Sequence, residues 1–213
     1  MQRVTESRGR AGLRVSAAPT FAARWLLPRL PRLRRDHPGL SVAISTEQGW
    51  VELSDGRFDL AIRMAEEPSG SGDWHRLVPI SLVPVAAPAH AGVAVAAVLQ
   101  RLPAIHVTSA KEDWASWWAQ RGGTAPDPAS SLRFDTVHMA IDAAAQGLGV
   151  ALARLPVCND DLSAGRVVAL AEPAEIGTAY WLVARPGALR QSNARLFAGW
   201  LMGELSATPV PGR

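Results

Sequence analysis

Cysteine is almost missing from this sequence: Cys158 stands alone among 213 residues. A single thiol excludes an internal disulfide and a cysteine-rich metal cluster, and leaves a small buried or half-buried side chain. Lysine is equally scarce, with Lys111 alone among the 22 basic residues, a bias that carries no functional meaning. Long apolar runs are also lacking. The longest, Ala86 to Leu99, is interrupted by Pro88, His90 and Gly92, whereas a spanning helix needs about 20 apolar residues. No membrane contact is expected. The opening MQRVTESRGRAGLR is basic, but no apolar core or small-residue cleavage site follows it. It is not a secretory signal, and the chain is expected in the cytoplasm.

The chemistry of enzymes is missing too. The five histidines, His37, His75, His90, His106 and His138, show no metal-ligand spacing with each other or with Cys158. No GxSxG elbow, phosphate loop or strand-borne GxGxxG occurs, and Gly147-Leu148-Gly149 closes a helix instead. The acidic neighbours Glu66-Glu67 and Asp160-Asp161 point apart from sites in loops and read as solvated surface. The expectation is no enzyme, no metal and no cofactor.

What remains is a globular chain, 48% hydrophobic, long enough for one large domain or two lobes. Its net charge of +3 hints at nucleic acid, but the basic residues are scattered apart from Arg29, Arg32, Arg34 and Arg35. Without interleaved aromatics, that group reads as a solvated helix face.

Leu13 to Ala17 alternates as a half-buried strand, and a helix follows with Thr20 as its N-cap. Phe21, Trp25, Leu26, Leu30 and Leu33 share one face, with a kink or restart near Pro28. Leu40 to Ile44 and Phe58 to Ile62 are strands, Gln48 to Ser54 is a short helix, Glu66 to Asp73 a loop and Leu82 to Ala86 a further strand. After Pro88 the plan repeats. Strands at Ala104 to Val107, Leu132 to Phe134 and Val150 to Ala153 alternate with helices at Lys111 to Gln120 and Thr136 to Gln146. Val167 to Leu170 and Ala179 to Val183 are strands. Asn193 to Leu205 is a helix with Leu196, Phe197, Trp200 and Leu201 inward, and Ala207 to Arg213 is a frayed tail. The order predicts an α/β fold of two lobes, each a mainly parallel sheet flanked by helices.

In such sheets ligands gather at the carboxyl ends of strands, beside helix N-termini. Hydroxyls recur there: Pro19-Thr20, Ser45-Thr46, His106-Val107-Thr108-Ser109 and Asp135-Thr136. The recurrence favours a binding cleft, although each hydroxyl alone serves equally as a helix cap.

The segments LRVSAAPTFAARWLLPRLPRLRRDHPGLSVAIST, LSDGRFDLAIRM, AIHVTSAKEDWASWW, LRFDTVHMAIDAAAQGLGVALARLPVCNDDLSAGRVVAL and AYWLVARPG run in order from about Leu13 toward a final helix ending near Leu205. Together they resemble the effector-binding domain of LysR-type transcriptional regulators, in the branch containing the glycine-cleavage activator and the β-lactamase regulator. The resemblance implies a periplasmic-binding-protein-like fold. One lobe would comprise residues 12–86 completed by 184–206, and the second 87–183 with the crossover strands. It implies a small-molecule effector bound between the lobes by Thr20, Thr46, Thr136 and Tyr180, with His106 and Thr108 nearby. For Tyr180, the only tyrosine, an amphipathic core position is the competing reading; His106 also reads as a hydrogen-bonded strand end, Trp50 and Trp74 as packing or rim residues, and Arg63 as internally paired. The family further implies a homodimer or higher homo-oligomer, with the first long helix of one subunit on the second-lobe helix of another. Trp25 and Met139 are the candidate contacts, against core burial. Relatives begin with a winged helix-turn-helix and linker helix, whereas residues 1–12 alone precede the first strand here. DNA would then be reached only through a domain missing from this chain. A transport-type or free-standing solute-binding protein of the same fold is the competing function.

Overall fold

The computed structural model describes residues 12–49, 51–111, 113–127 and 131–208. The basic N-terminal segment, Trp50 and residues 209–213 lie outside the described residues.

Strand β1 (Leu13–Ala17) lies between β2 (Val42–Thr46) and β3 (Leu60–Ala65), parallel to both, with Val15 opposite Ile44 and Leu60. Two long strands then cross between the lobes: β4 (Asp73–Ala86) and β9 (Ala174–Ala184), antiparallel to each other. β9 pairs with β3, and β4 pairs with β7 (Ala151–Leu155) and β8 (Val168–Ala169). The sheet order is therefore β2-β1-β3-β9-β4-β7. β5 (Ile105–Val107) and β6 (Leu132–Phe134) form a parallel pair, joined to β7 by a bridge between Ala104 and Val150. Each lobe is thus parallel on its outer side, and the crossover strands make the whole mixed.

The crossovers are longer than their sequence patterns suggest. β4 begins at Asp73, the last residue of the expected loop, and runs on through 74–81, ahead of the strand expected at Leu82 to Ala86; its register shifts on either side of Pro79, which lacks a ladder donor. Of the segment expected as a helix from Gln48 to Ser54, the described residues, 48–49 and 51–54, are not helical. Val51 and Leu53 are both buried, a period-two pattern, and Ser54 donates its N–H and hydroxyl to Glu52 Oε1 instead of continuing a helical ladder.

The first helix opens with a π-helical stretch (Phe21–Leu26), in which Leu27 N–H donates to Ala22 O, and becomes α1 (Leu27–Asp36) beside Pro28. Thr20 already has helical angles, φ −66° and ψ −40°, and its side chain makes no N-cap bond. Its hydroxyl is directed elsewhere. Trp25 is fully buried against Phe21 and Trp200. Burying such a side chain contributes up to about 3 kcal/mol. Among the described residues the remaining α-helices are α2 (Val95–Leu99), α3 (Asp113–Ala119), α4 (Val137–Ala145), α5 (Asn159–Ser163) and α6 (Ser192–Ser206). In α6, Ala194, Phe197, Leu201 and Leu205 face the core, whereas Leu196 turns outward at 36% exposure, contrary to its predicted side. Thr208, placed by sequence in a frayed tail, is buried. It accepts from Trp25 Nε1 at 3.4 Å and donates to Glu204 O at 2.8 Å.

Trp114 and Trp117 of α3 pack with Leu82 and Leu152 as a second core in the far lobe. Cys158 is buried, and burial pushes its thiol up to about 11, which keeps it protonated and inert.

Candidate functional site

The crossover strands bring the carboxyl ends of β1 and β3 opposite those of β5, β6 and β7. A cavity of about 60 Å³ lies between them, lined from the first lobe by Pro19, Thr20, Gln48 and Met64, and from the second by Ser109, Thr136 and Arg154, with Tyr180 between. That volume holds about two water molecules at ~30 Å³ each. One contact across the mouth joins the lobes: Asp135 O accepts from Gln48 Nε2 at 2.9 Å, and within the second lobe it also accepts from Ser109 Oγ at 2.7 Å.

Thr20 and Thr136 are each 8% exposed and Tyr180 1% exposed. Thr20 Oγ1 accepts the His138 backbone N–H at 3.3 Å, so a first-lobe hydroxyl serves the first turn of α4. Thr136 occupies the N-cap position of α4 with extended angles and no cap bond; its Oγ1 lies 3.5 Å from His138 Nε2. Tyr180 stacks at 5.0 Å from Phe21, and burial holds its hydroxyl well above the usual phenol range, against the opposing pull of Arg154. It is a neutral donor.

Arg154 was not picked out by the sequence reading. It stands in an otherwise apolar, wholly buried strand, which is the signal that marks it. Its Nε donates to Asp113 Oδ2 at 3.0 Å and its Nη2 to Asp113 Oδ1 at 2.8 Å, while Nη1 reaches Met64 Sδ at 2.9 Å. Burial raises the Asp113 carboxyl, and the Arg154 charge opposes that rise.

The other expected site residues lie apart. Thr46 lines a neighbouring hollow of about 380 Å³ with Pro19, Ala22, Leu30, Ile44 and His138. His106 and Thr108 line a separate hollow of about 290 Å³ with Lys111 and Arg133. They are displaced because His106 and Arg133 are register partners on one face of the β5–β6 pair, and the His106 ring packs 6.3 Å from Trp114. Burial lowers the His106 pKa first, and Arg133 second, against Asp127. Arg63 is internal: it donates to Ile62 O at 2.8 Å and Ser16 Oγ at 2.6 Å. Burial lowers its pKa, against Glu47. Trp74 packs edge-on to Trp181 at 5.8 Å.

A second set of contacts ties the lobes beside the cavity. Arg24 donates to His138 O at 3.1 Å and pairs with Asp142 and Asp161. Arg29 pairs with Asp160 at 2.9 Å, and within the second lobe Arg166 also pairs with Asp161. Asp161, read from sequence as solvated, is 1% exposed, because α5 turns it beneath Arg24 and Arg166. Glu66 and Glu67 are exposed. Among the described residues no group of His, Cys, Asp and Glu forms a metal site, and no helix is long and apolar enough to cross a membrane.

Residues 7–206 match the LysR substrate binding domain family. The chain is 32% identical over 198 residues to the HTH-type transcriptional regulator TrpI of Pseudomonas aeruginosa, covering 88% of this chain and 65% of that protein. It is 32% identical over 208 residues to the HTH-type transcriptional activator AmpR of Pseudomonas aeruginosa, covering 94% and 68%. The chain therefore spans a little under two thirds of TrpI. Among solved structures, the AmpR effector binding domain from Citrobacter freundii superposes with a TM-score of 0.79 at 26% identity, covering 93% of this chain and 100% of that one. The effector domain of AmpR of Pseudomonas aeruginosa gives 0.77 at 29% identity, covering 93% and 97%.

Proposed function

The chain belongs to the LysR substrate-binding domain family, and from that premise we propose that it senses a small-molecule effector in the cavity between its lobes and so controls transcription as part of a longer regulator. The observation that carries this reading is the convergence of Thr20 from one lobe, Thr136 from the other and Tyr180 from a crossover strand on one polar cavity. A ligand bridging these hydroxyls favours one arrangement of the lobes, and the shift in population moves whatever DNA-binding domain is attached. No bond need be made or broken, so the protein acts by linkage and not as an enzyme.

In this reading the lobes are 12–86 completed by 184–206, and 87–183. DNA is contacted through a helix-turn-helix outside this chain, and the regulator works in the cytoplasm as a homodimer or higher homo-oligomer. The exposed face of α4, with Met139 at 44% exposure beside a hollow of about 640 Å³, supports a partner there.

The test is a thermal-shift screen of amino acids, small carboxylates and short peptides against the intact chain. A ligand in saturating excess raises the melting temperature, and Thr20→Ala and Thr136→Ala each weaken the response while leaving the fold intact. Unaltered affinity in both variants removes this site.

A further inference from the structure

We infer that the interlobe cavity selects ligands carrying a carboxylate, and that Arg154 is the residue that recognises it. The inference rests on the reading of this cavity as the effector site. A guanidinium presents five N–H donors around a planar fork, with more than one edge able to grip an acid. Asp113 occupies the edge formed by Nε and Nη2, at 3.0 Å and 2.8 Å. Beyond that edge the guanidinium meets only neutral groups, Met64 Sδ at 2.9 Å from Nη1, a weak acceptor, and the Tyr180 hydroxyl. Arg154 and Met64 both line the cavity.

A buried cationic donor resting on sulfur gains when a carboxylate oxygen takes the sulfur's place, since a charge-assisted hydrogen bond is roughly twice as strong as a neutral one. Asp113 also fixes the fork in advance, so little rotamer freedom is lost on binding. The other lining groups match an anion. Thr20, Thr136 and Tyr180 offer hydroxyls, Gln48 keeps one amide proton beyond the one it gives Asp135 O, the Ser109 hydroxyl is already donated to that oxygen, and no lining residue is an acid. Burial holds the Tyr180 proton in place, so it donates to the same oxygen pair. A cavity of about 60 Å³ admits the carboxylate end of a ligand and little else.

The experiment is calorimetric titration of the 213-residue chain with matched acid and amide pairs: acetate and acetamide, benzoate and benzamide, dialanine and its C-terminal amide. The expected result is binding of at least one acid about tenfold or more tighter than its amide, with the ratio falling towards one in Arg154→Gln. If that variant fails to fold because Asp113 is left unpaired, the double variant Arg154→Gln with Asp113→Asn removes both charges and gives the same readout. Amides that bind as tightly as their acids overturn the inference, while Thr20→Ala, by weakening acids and amides alike, leaves the cavity reading standing. No binding of any probe, with Thr20→Ala equally silent, removes both.

Discussion

Thr20 Oγ1 accepts the backbone N–H of His138 at 3.3 Å, so a residue of the first lobe completes the hydrogen bonding of a helix in the second. The four leading amides of a helix have no internal partner, and Thr136 at the N-cap supplies none here. Thr20→Val keeps the shape and removes the acceptor. It is expected to lower unfolding stability by about 1 kcal/mol, measured by urea denaturation, whereas Thr136→Val costs less. Equal losses in the two variants would show that the cap across the cleft carries no energy.

The alternation of strands and helices was legible because it depends on local periodicity: β1, β6 and α4 fall within a residue or so of where their patterns place them. The crossovers were only half legible. Their outer halves lie where the chain passes from one lobe to the other, and pairing partners distant in sequence, such as Trp74 with Val183, decide them. Thr20, Thr136 and Tyr180, which the resemblance grouped, line one cavity, whereas His106 and Thr108 line another, on a face of the β5–β6 pair that the neighbouring hollow takes. Arg154 carries a signal in its own strand, a charge among apolar residues. Its partner Asp113 is 41 positions away, beyond any local pattern.

The two histidines at these hollows set a pH dependence. His138 is lowered from 6.5 by burial first and Arg24 second, against Asp142 and Asp135, and His106 is lowered by burial and Arg133. A depressed histidine is neutral when folded, while the unfolded chain takes up protons below 6.5, so stability is full above that pH and lost as the pH falls towards the folded values. Urea midpoints should fall between about pH 7.5 and about pH 5.5, and His138→Gln should flatten that slope. A midpoint that holds steady in the parent protein contradicts the assignment.

The ion pairs beside the cavity differ in burial and hence in worth. Arg24 faces the wholly buried Asp161, whereas Asp160, the partner of Arg29, has a side chain 50% exposed. Arg24→Met should cost about 1–3 kcal/mol, since a buried carboxylate then depends on Arg166 alone, and Arg29→Met less than about 1 kcal/mol from the lost charge pair. Urea denaturation in low and high salt checks both, with the Arg29 pair the more readily screened. The reverse order would refute the ranking.

Gly147 and Gly149 are expected to answer differently to alanine. A Cβ on Gly149 would lie 2.5 Å from Pro103 O and 2.8 Å from Ile105 Cγ1, where β5 meets β7, while one on Gly147 meets nothing within 4 Å. Gly147 has a φ of +79°, so alanine there costs about 1 kcal/mol of backbone strain. Gly149→Ala must push backbone apart at a strand bridge and should cost about 2 kcal/mol or more. Thermal unfolding of the two variants separates steric from conformational cost, and a Gly149→Ala protein as stable as the parent would rule out the close approach.

Trp25 and Met139 began as joint candidates for a subunit contact, and the fold separates them. Trp25 is fully buried, with its Nε1 bonded to Thr208 and the Arg29 guanidinium 4.7 Å from its ring centroid, so its removal acts on the core. Met139 is 44% exposed on α4, and Leu27 is 61% exposed beside a hollow along α1 and β2. If α1 of one copy packs on α4 of another, a charge at Met139 must be desolvated in the interface but not in the free chain. Met139→Glu should therefore reduce the mass read by analytical ultracentrifugation to that of one chain, with little change in melting temperature. Trp25→Ala should lose about 3–5 kcal/mol of folding stability. An assembly that survives Met139→Glu would place the contact on some other face, and a Met139→Glu chain that unfolds would mean that the exposed methionine supports the core after all.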